Sequence, residues 1–272
     1  GDEPMVALRE LISTAADAVT GRRVQFENTG LRVEVRLMHV GEDWHLTVLD
    51  NGLGMSASQM VRFLTDFGNS QWSSQERLEE FPGLASKGFK ATGRYGIGFF
   101  SAFMVADKVR VRSLAVKAAS SETHILEFHD GLRSRPLIRQ AASDEELSQP
   151  GTEVSLVLRD APLSADGLFQ QMVSRLTVWE LLEVVLCEMC FLLDVDLFVS
   201  DESGELDKIV SGNEWKTLSP SELYHRLYLR PSQRNNWWER AMYAAFEPVF
   251  ISNLEDIYDD EGDIVGRAVL AA

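Results

Sequence analysis

The 272-residue sequence predicts an α/β (α+β) fold in which helices cover one face of a mixed, mainly antiparallel sheet. Three features predict it. An amphipathic pattern of helical period lies near the start, two alternating segments joined by a short polar turn follow it, and further alternating segments flank one long apolar stretch. Helices and strands that each have one apolar face form a core by packing in two layers.

The first segment, residues 5–19, has apolar residues at helical spacing and predicts an amphipathic helix. Pro4 suits the first turn of this helix, and Gly21 is expected to end it. Three polar residues recur at i, i+4 and i+7 and therefore share one side of the helix: Glu10, Thr14 and Asp17.

Residues 31–40 and 44–49 alternate apolar and polar side chains on either side of a short turn, which predicts a β-hairpin. The hairpin runs into the motif DNGLGM at residues 50–55, and Ser56 is the expected N-cap of a helix over residues 57–67. A carboxylate at a strand end, with glycines beside it, is typical of a binding site.

Residues 68–92 have little apolar periodicity and contain glycine, serine, asparagine and Pro82. A segment of roughly 25 residues without a clear element is long for a plain connector. We therefore expect a functional segment such as a lid, with one helical turn at residues 75–80. Three cations, which either contact phosphates or are solvated, lie at its end and in the motif that follows: Lys87, Lys90 and Arg94.

Residues 93–109 read GRYGIGFFSAFMVADKV, with glycines at i, i+3 and i+5 leading into an expected apolar helix. Bare backbone N–H groups at a helix start favour an anion, so the pattern is typical of a polyphosphate site. The dinucleotide-binding fingerprint needs a strand before the glycines, and a Walker A motif needs a closing Lys-Ser/Thr pair. Neither is predicted here, which indicates another kind of phosphate loop.

The rest of the chain is expected to complete the sheet. The predicted strands cover residues 108–116, 124–129, 136–139, 154–158 (opened by Gly151-Thr152) and 195–199, and a helix is predicted over residues 163–193. After Asp201 we expect a polar loop, a short helix from Ser221 and two strands around a turn at residues 259–263. Because the chain stops in an apolar strand, we expect a fragment of a longer protein.

Composition narrows the class of protein. The formal charge of −16 opposes strong attraction to nucleic acid or to an anionic membrane surface. No apolar run is long enough to span a membrane and no leader pattern is recognised, so we expect a cytoplasmic protein. Cys187 and Cys190 lie in an apolar helical stretch without a second Cys or His pair, which favours buried thiols over zinc or redox chemistry.

The order and spacing of these motifs resemble the GHKL ATPase superfamily and, within it, the heat-shock protein 90 chaperone family. The likeness is carried by LRELIS and AADA within residues 8–18, by DNGLGM and by GRYGIGFFSAFMVADKV. It implies a Bergerat-type two-layer sandwich and an ATP-binding domain over residues 1–201, with its lid at about residues 68–92. Residues 202–245 are then expected to form a connector, and residues 246–272 the start of a following, truncated domain.

The resemblance also implies roles for individual residues. Asp50 would accept a hydrogen bond from the adenine amino group, Gly54 and Thr152 would hold a water at the base edge, Met55 would line the base pocket and Asp66 would lie near the sugar. The phosphates would be cradled by the backbone N–H groups of Gly96, Ile97, Gly98 and Phe99. The resemblance assigns three further residues to nucleotide binding: Asp17, Gly52 and Gly93.

For hydrolysis, the resemblance makes Glu10 the general base that orients and deprotonates the attacking water. The implied cofactors are ATP or ADP and Mg²⁺. Thr14 occupies the position at which the family has an asparagine that coordinates Mg²⁺, so magnesium coordination by Thr14 is a weaker expectation than nucleotide binding.

Several partners and branches stay open at this stage. The resemblance implies a homodimer of the full-length protein, acting on a client or effector protein through nucleotide-driven lid closure, with no membrane and no expected nucleic acid. MutL-like, topoisomerase-like and histidine-kinase-like proteins share the ATP site. The alternative function is a nucleotide-binding conformational switch with little or no hydrolysis, in a MORC-like or defence-associated GHKL protein.

Overall fold

Helices lie on one face of an eight-stranded sheet, which confirms the predicted α/β class. The computed structural model describes residues 4–26, 29–66, 68, 72, 74–93, 96–170, 176–228 and 237–269. The described helices are α1 (Pro4–Phe26), α2 (Ala57–Thr65), α3 (Gln75–Glu80), α4 (Pro82–Ser86), α5 (Val178–Met189), α6 (Glu214–Thr217), α7 (Pro220–Tyr228) and α8 (Trp237–Asn253). In these ranges, no helix is both long enough and apolar enough to cross a membrane.

The sheet is mixed and mainly antiparallel, as predicted. Its strands are β1 (Arg32–Val40), β2 (Asp43–Asp50), β3 (Ala106–Leu114), β4 (His124–Phe128), β5 (Leu137–Gln140), β6 (Gly151–Leu158), β7 (Asp196–Ser200) and β8 (Leu206–Val210). They lie in the order β5-β4-β3-β6-β2-β1-β7-β8, and β1 and β7 form the parallel pair. The register places Asp50 opposite Thr152 and Thr152 opposite Ser113, so these three residues form one row across β2, β6 and β3.

The two faces of the sheet differ in polarity. Buried residues such as Val48, Val111 and Leu156 point towards α1 and α5 and form the core with them. The opposite face has a network of ion pairs in which Glu145 bridges Arg110 (2.5 Å) and Arg139 (2.5 Å). A sheet that is covered on one face and polar on the other explains the alternation that the sequence displays.

The prediction that Gly21 ends the first helix was wrong, because α1 continues to Phe26. A Cβ atom at Gly21 would lie 3.0 Å from Leu53 Cδ1 and 3.2 Å from the ring of Trp72. The glycine therefore allows the loop after β2 to pack closely against α1. Its role is close approach rather than helix termination.

Two predicted helices differ from the structure. The stretch after the glycine motif is a 3-10 helix of seven residues, Gly98–Met104, rather than an α-helix. Of the helix predicted over residues 163–193, α5 alone is helical among the described residues, and residues 171–175 lie outside them. Turns precede α5: the Phe169 N–H donates to the Pro162 carbonyl at 2.8 Å. A Cβ atom at Gly167 would lie 2.1 Å from the Ala161 carbonyl oxygen, a contact that only glycine avoids.

The predicted N-cap of α2 is confirmed. The Ser56 hydroxyl accepts a hydrogen bond from the Gln59 N–H, and the Gln59 side-chain oxygen accepts one from the Ser56 N–H, which forms a capping box. The helix ends at Thr65, and the last predicted helical residue, Phe67, lies outside the described residues. In the predicted lid, the helical turn at residues 75–80 is also confirmed as α3.

The region after residue 201 contains more structure than a polar loop. β8 pairs with β7 and buries Ile209 and Val210 in the main core, so the sheet extends into the range predicted as a connector. The two predicted terminal strands are confirmed as a separate hairpin, β9 (Leu254–Tyr258) and β10 (Ile264–Val269). Its turn is closed by Asp259, whose carboxylate accepts the N–H of Asp263 at 2.9 Å.

Cys187 and Cys190 are buried free thiols, as predicted. Burial raises the pKa of each thiol to about 12. Both side chains pack into the main core with the apolar residues of α5.

We expect Leu182→Ala to destabilise the protein by about 2–5 kcal/mol, since Leu182 is fully buried under the sheet and its loss leaves a cavity. Urea unfolding measures the change. Leu192→Ala is the matched control, because Leu192 is 54% exposed. Equal effects of the two substitutions would contradict the placement of α5 in the core.

Candidate nucleotide-binding site

A cavity lies between α1 and the row of strands β2, β6 and β3. It contains six of the residues that sequence reasoning assigned to the site: Thr14, Asp50, Gly54, Met55, Phe99 and Thr152. The other lining residues are Leu11, Ala15, Ala18, Val48, Leu64, Arg77, Val111 and Val154. An apolar pocket with a few convergent polar groups is the usual form of a site for a small molecule.

Asp50 is the charged group at the inner end of this cavity. It is 6% exposed, and its Oδ1 accepts the Gly52 N–H at 2.8 Å. Burial raises the pKa of Asp50 to about 7, while the N–H groups of Gly52 and Thr152 and the charges of Arg22 and Arg77 oppose the rise. The carboxyl group is therefore poised to accept a hydrogen bond from a ligand near neutral pH.

Ser113 completes the polar row, and sequence reasoning missed it. Its hydroxyl donates to the Gly151 carbonyl at 3.1 Å and accepts the Met55 N–H at 2.9 Å. The Thr152 hydroxyl lies 2.8 Å from Ser113 Oγ, so Thr152 donates and keeps its own lone pairs for a ligand or a water. A serine on the buried face of a strand that otherwise has valines there was the signal available in the sequence.

The two glycines of DNGLGM allow the segment after β2 to fit between α1 and the sheet. A Cβ atom at Gly52 would lie 2.5 Å from the Ala18 carbonyl carbon. At Gly54, where φ is +61°, it would lie 1.9 Å from the Leu114 carbonyl oxygen. A side chain at either position would push the segment away from Asp50.

Asp17 anchors the start of the glycine motif. Its carboxylate accepts the N–H of Thr92 at 2.9 Å and of Gly93 at 2.8 Å. Burial raises the pKa of Asp17, and these two backbone hydrogen bonds oppose the rise. Asp17 therefore holds the loop against α1, which places Gly93 beside the helix.

Thr14 and Glu10 lie against the same loop, one and two turns before Asp17 on α1. A Cβ atom at Gly98 would lie 3.3 Å from Thr14 Oγ1 and 3.4 Å from Glu10 Oε2. The Thr14 hydroxyl donates to the Glu10 carbonyl oxygen at 2.8 Å, and the Glu10 carboxylate pairs with Arg9 at 3.1 Å. The side chain of Glu10 is 34% exposed, so it is open to solvent beside the glycine motif.

Some predicted residues lie away from the cavity. Asp66 is exposed beyond the C-terminal end of α2 and does not line the cavity. Ile97 is 56% exposed, whereas Phe99 beside it is buried. Gly96, which precedes them, adopts a left-handed conformation with φ of +62°. Arg94, one of the three predicted cations, is outside the described residues.

The described residues offer few metal ligands. They contain no group of three or more His, Cys, Asp or Glu side chains that could hold a metal ion. Among the described residues, the Thr14 hydroxyl and the Glu10 carboxylate are the oxygen donors next to Gly98, and the Asp17 carboxylate is taken up by Thr92 and Gly93. Mg²⁺ needs little more from a protein when it binds together with phosphates, because it keeps several waters.

The sequence profile of histidine kinase-, DNA gyrase B- and HSP90-like ATPases matches residues 3–153, which is more than half of the chain. The chain belongs to this family. The matched range contains the helix with Glu10, the DNGLGM segment, the predicted lid and the glycine motif, and it ends just after Thr152. The resemblance to GHKL ATPases drawn from the sequence is thereby confirmed.

Curated relatives named as chaperone and heat shock proteins also match part of the chain. The chain is 33% identical over 163 residues to chaperone protein HtpG of Psychromonas ingrahamii, a match that covers 57% of this chain and 24% of that protein. It is 37% identical over 121 residues to the mitochondrial heat shock protein 75 kDa of Bos taurus, covering 43% and 17% respectively. The match thus spans about a quarter or less of the length of these relatives.

The buried Asp50 should make the free energy of unfolding of this chain depend on pH. The pKa of Asp50 rises from 3.8 in the unfolded chain to about 7 in the folded chain. The folded state therefore loses stability as the pH rises across this interval. Asp50→Asn removes this cost, so the difference in free energy of unfolding between variant and wild type should grow over that interval, by up to about 4 kcal/mol. Urea unfolding at several pH values measures it.

Asp43→Asn is the matched control for this prediction, because Asp43 begins the same strand and is exposed. It should leave the pH dependence unchanged. A difference between Asp50→Asn and wild type that is the same at pH 4 and pH 8 would contradict the raised pKa.

Proposed function

We propose that the chain binds ATP and ADP in this cavity, with the adenine at Asp50 and the phosphates at the glycine motif. The observation that carries the proposal is the buried carboxylate of Asp50 in one row with Thr152 and Ser113, inside a mainly apolar cavity. A charged acceptor in such surroundings favours a base with an exocyclic amine. A base with a carbonyl at that position would leave two acceptors facing each other.

The backbone around the glycines supplies the phosphate contacts in this proposal. The N–H groups of residues 96–99 are the donors, since glycine at 96 and 98 lets the chain approach a phosphate closely. Asp17 holds the start of the loop through Thr92 and Gly93. The segment of residues 68–92 acts as the lid that closes over the bound nucleotide.

Hydrolysis is the second part of the proposal. Glu10 orients and deprotonates the water that attacks the γ-phosphate, because its carboxylate lies at the mouth of the site beside the glycine motif. Mg²⁺, when bound, would supply charge neutralisation at the phosphates, and Thr14 is the residue that would help to hold it.

In the whole protein we propose a chaperone-type role. The relatives' names supply the support: HtpG is called a chaperone protein and the bovine relative a heat shock protein. Nucleotide-driven lid closure, clamping of a homodimer and action on a client or effector protein are the steps expected of such a protein. We expect it to act in the cytoplasm.

A nucleotide-binding switch with little or no hydrolysis is the second candidate function. It is favoured by Thr14, whose hydroxyl donates its proton to the Glu10 carbonyl and is shorter than the asparagine amide it replaces. A weak metal contact would slow turnover without preventing nucleotide from selecting a conformation. A MORC-like or defence-associated protein would use such a switch.

Calorimetric titration with ATP and ADP, with and without Mg²⁺, tests binding. We expect Asp50→Asn to weaken ATP binding by about 10–100-fold, since an amide is a weaker acceptor than a carboxylate. The exposed Asp43→Asn should bind as the wild type does. Unchanged affinity of Asp50→Asn would contradict the assignment of the adenine contact.

Phosphate release under saturating ATP tests the catalytic assignment. We expect Glu10→Gln to reduce kcat by about 10²–10⁴-fold while ATP still binds, because the amide cannot accept the proton of the water. Glu42→Gln, in the exposed turn before β2, is the matched control. Turnover that survives in Glu10→Gln would contradict the base role. If the wild type binds ATP without hydrolysing it and Thr14→Asn restores hydrolysis, the switch would be favoured instead.

A further inference from the structure

One arginine of the lid lies inside the cavity. Arg77 belongs to α3, yet it is only 1% exposed and lines the cavity beside Asp50 and Gly54. Its Nη2 donates to the Gly54 carbonyl oxygen at 3.0 Å. Its guanidinium carbon lies 5.0 Å from the centre of the Phe81 ring and 5.5 Å from that of Trp72. The charged head is therefore held at the end of the cavity where the base is proposed to bind.

The position of this head is fixed by the attachment of α3. Ser74 accepts the Arg77 N–H at 3.2 Å and caps the helix. Gln59 of α2 donates to Glu80 at 2.9 Å, and Lys117 donates to the Glu80 carbonyl oxygen at 2.9 Å. Movement of α3 away from the start of α2 would therefore carry Arg77 out of the cavity.

The volume of the cavity limits what can bind while Arg77 is inside it. Its volume is about 50 Å³, whereas a cavity of roughly 150 Å³ accommodates benzene. A purine is larger than benzene, so some of the walls must separate before a base enters. Among the described lining residues, Arg77 is the one that belongs to the lid; the others belong to α1, α2, the sheet, the DNGLGM segment and the 3-10 helix.

We propose that Arg77 is a gate: its guanidinium occupies the base end of the cavity, and a purine enters only when α3 withdraws it. The inference rests on the proposed nucleotide function and deepens it, because it names the lid side chain that limits access to Asp50. Withdrawal breaks the hydrogen bonds to the Gly54 carbonyl and to Gln59 Oε1 of α2, and the guanidinium gains water in exchange. The lid would then control entry of the base as well as enclosure of the phosphates.

Stopped-flow association of ADP labelled on the ribose with a methylanthraniloyl group tests the gate. Arg77→Ala should bind faster, by up to about tenfold, since the broken hydrogen bond of ordinary strength no longer opposes entry. Because the positive charge of Arg77 also lowers the pKa of Asp50, the comparison is made at pH 9, where the Asp50 carboxyl is mostly ionised. Lys117→Met is the matched control, because Lys117 contacts the same lid helix but does not line the cavity.

A gate at Arg77 and a general loosening of the lid predict different association rates. A rate for Arg77→Ala equal to or below that of the wild type overturns the gate. Because Lys117 helps to hold α3, Lys117→Met should accelerate association in the wild type but add nothing to Arg77→Ala. An equal acceleration in both backgrounds overturns the gate, because loosening of the lid would then act without the arginine. If Arg77→Ala does not fold, as judged by circular dichroism, Arg77→Gln replaces it. That variant is shorter and uncharged but keeps a donor for the Gly54 carbonyl, so a smaller acceleration over the wild type is expected.

The test also distinguishes failure of the gate from failure of the proposed function. Binding by the wild type without acceleration in Arg77→Ala contradicts the gate alone. Absence of ADP binding by both the wild type and Arg77→Ala contradicts the nucleotide function. Binding by Arg77→Ala but not by the wild type supports both.

Discussion

The site depends on the burial of one carboxylate at the end of a central strand. Asp50 is held there by two registers, that of the β1–β2 hairpin and that of the β2–β6 pair, which bring it beside Thr152. A slip of one residue in either pairing would turn Asp50 to the outer face of the sheet. Since an isolated buried anion is costly, backbone N–H groups and the cations Arg22 and Arg77 converge on it. Much of the local structure can be understood as compensation for this charge.

Helix α1 connects the two ends of the site. Its apolar side, with Leu11, Ala15 and Ala18, forms a wall of the base cavity. Its polar side holds the glycine motif through Asp17 and presents Glu10 beside Gly98. A shift of this helix would therefore alter the cavity and the position of Glu10 together. The proposed binding and catalytic groups share one support, whereas the proposed lid packs in a separate small core with Leu53, Phe81 and Leu84.

The sequence predicts the strands well, because alternation is a local signal that survives folding. It also identifies the Asp50 segment and the glycine motif, whose residue types are dictated by close backbone approach. It fails where distant contacts decide the outcome: Gly21 is internal to α1 because Leu53 and Trp72 pack on it, and the stretch at Gly98–Met104 is a 3-10 helix. Ser113 and Arg77 could not be assigned to the site, since their roles depend on strand register and on how the lid folds.

The two shielded thiols make the chain convenient for site-specific labelling. Cys187 and Cys190 are the only cysteines in the sequence, both are buried, and burial holds their pKa values at about 12. At neutral pH neither forms the thiolate that reacts with maleimides. A cysteine introduced on the exposed side of α3, for example in place of Glu79, would therefore be the reactive thiol of the molecule. A dye attached there could report movements of the lid in real time without first removing the native cysteines.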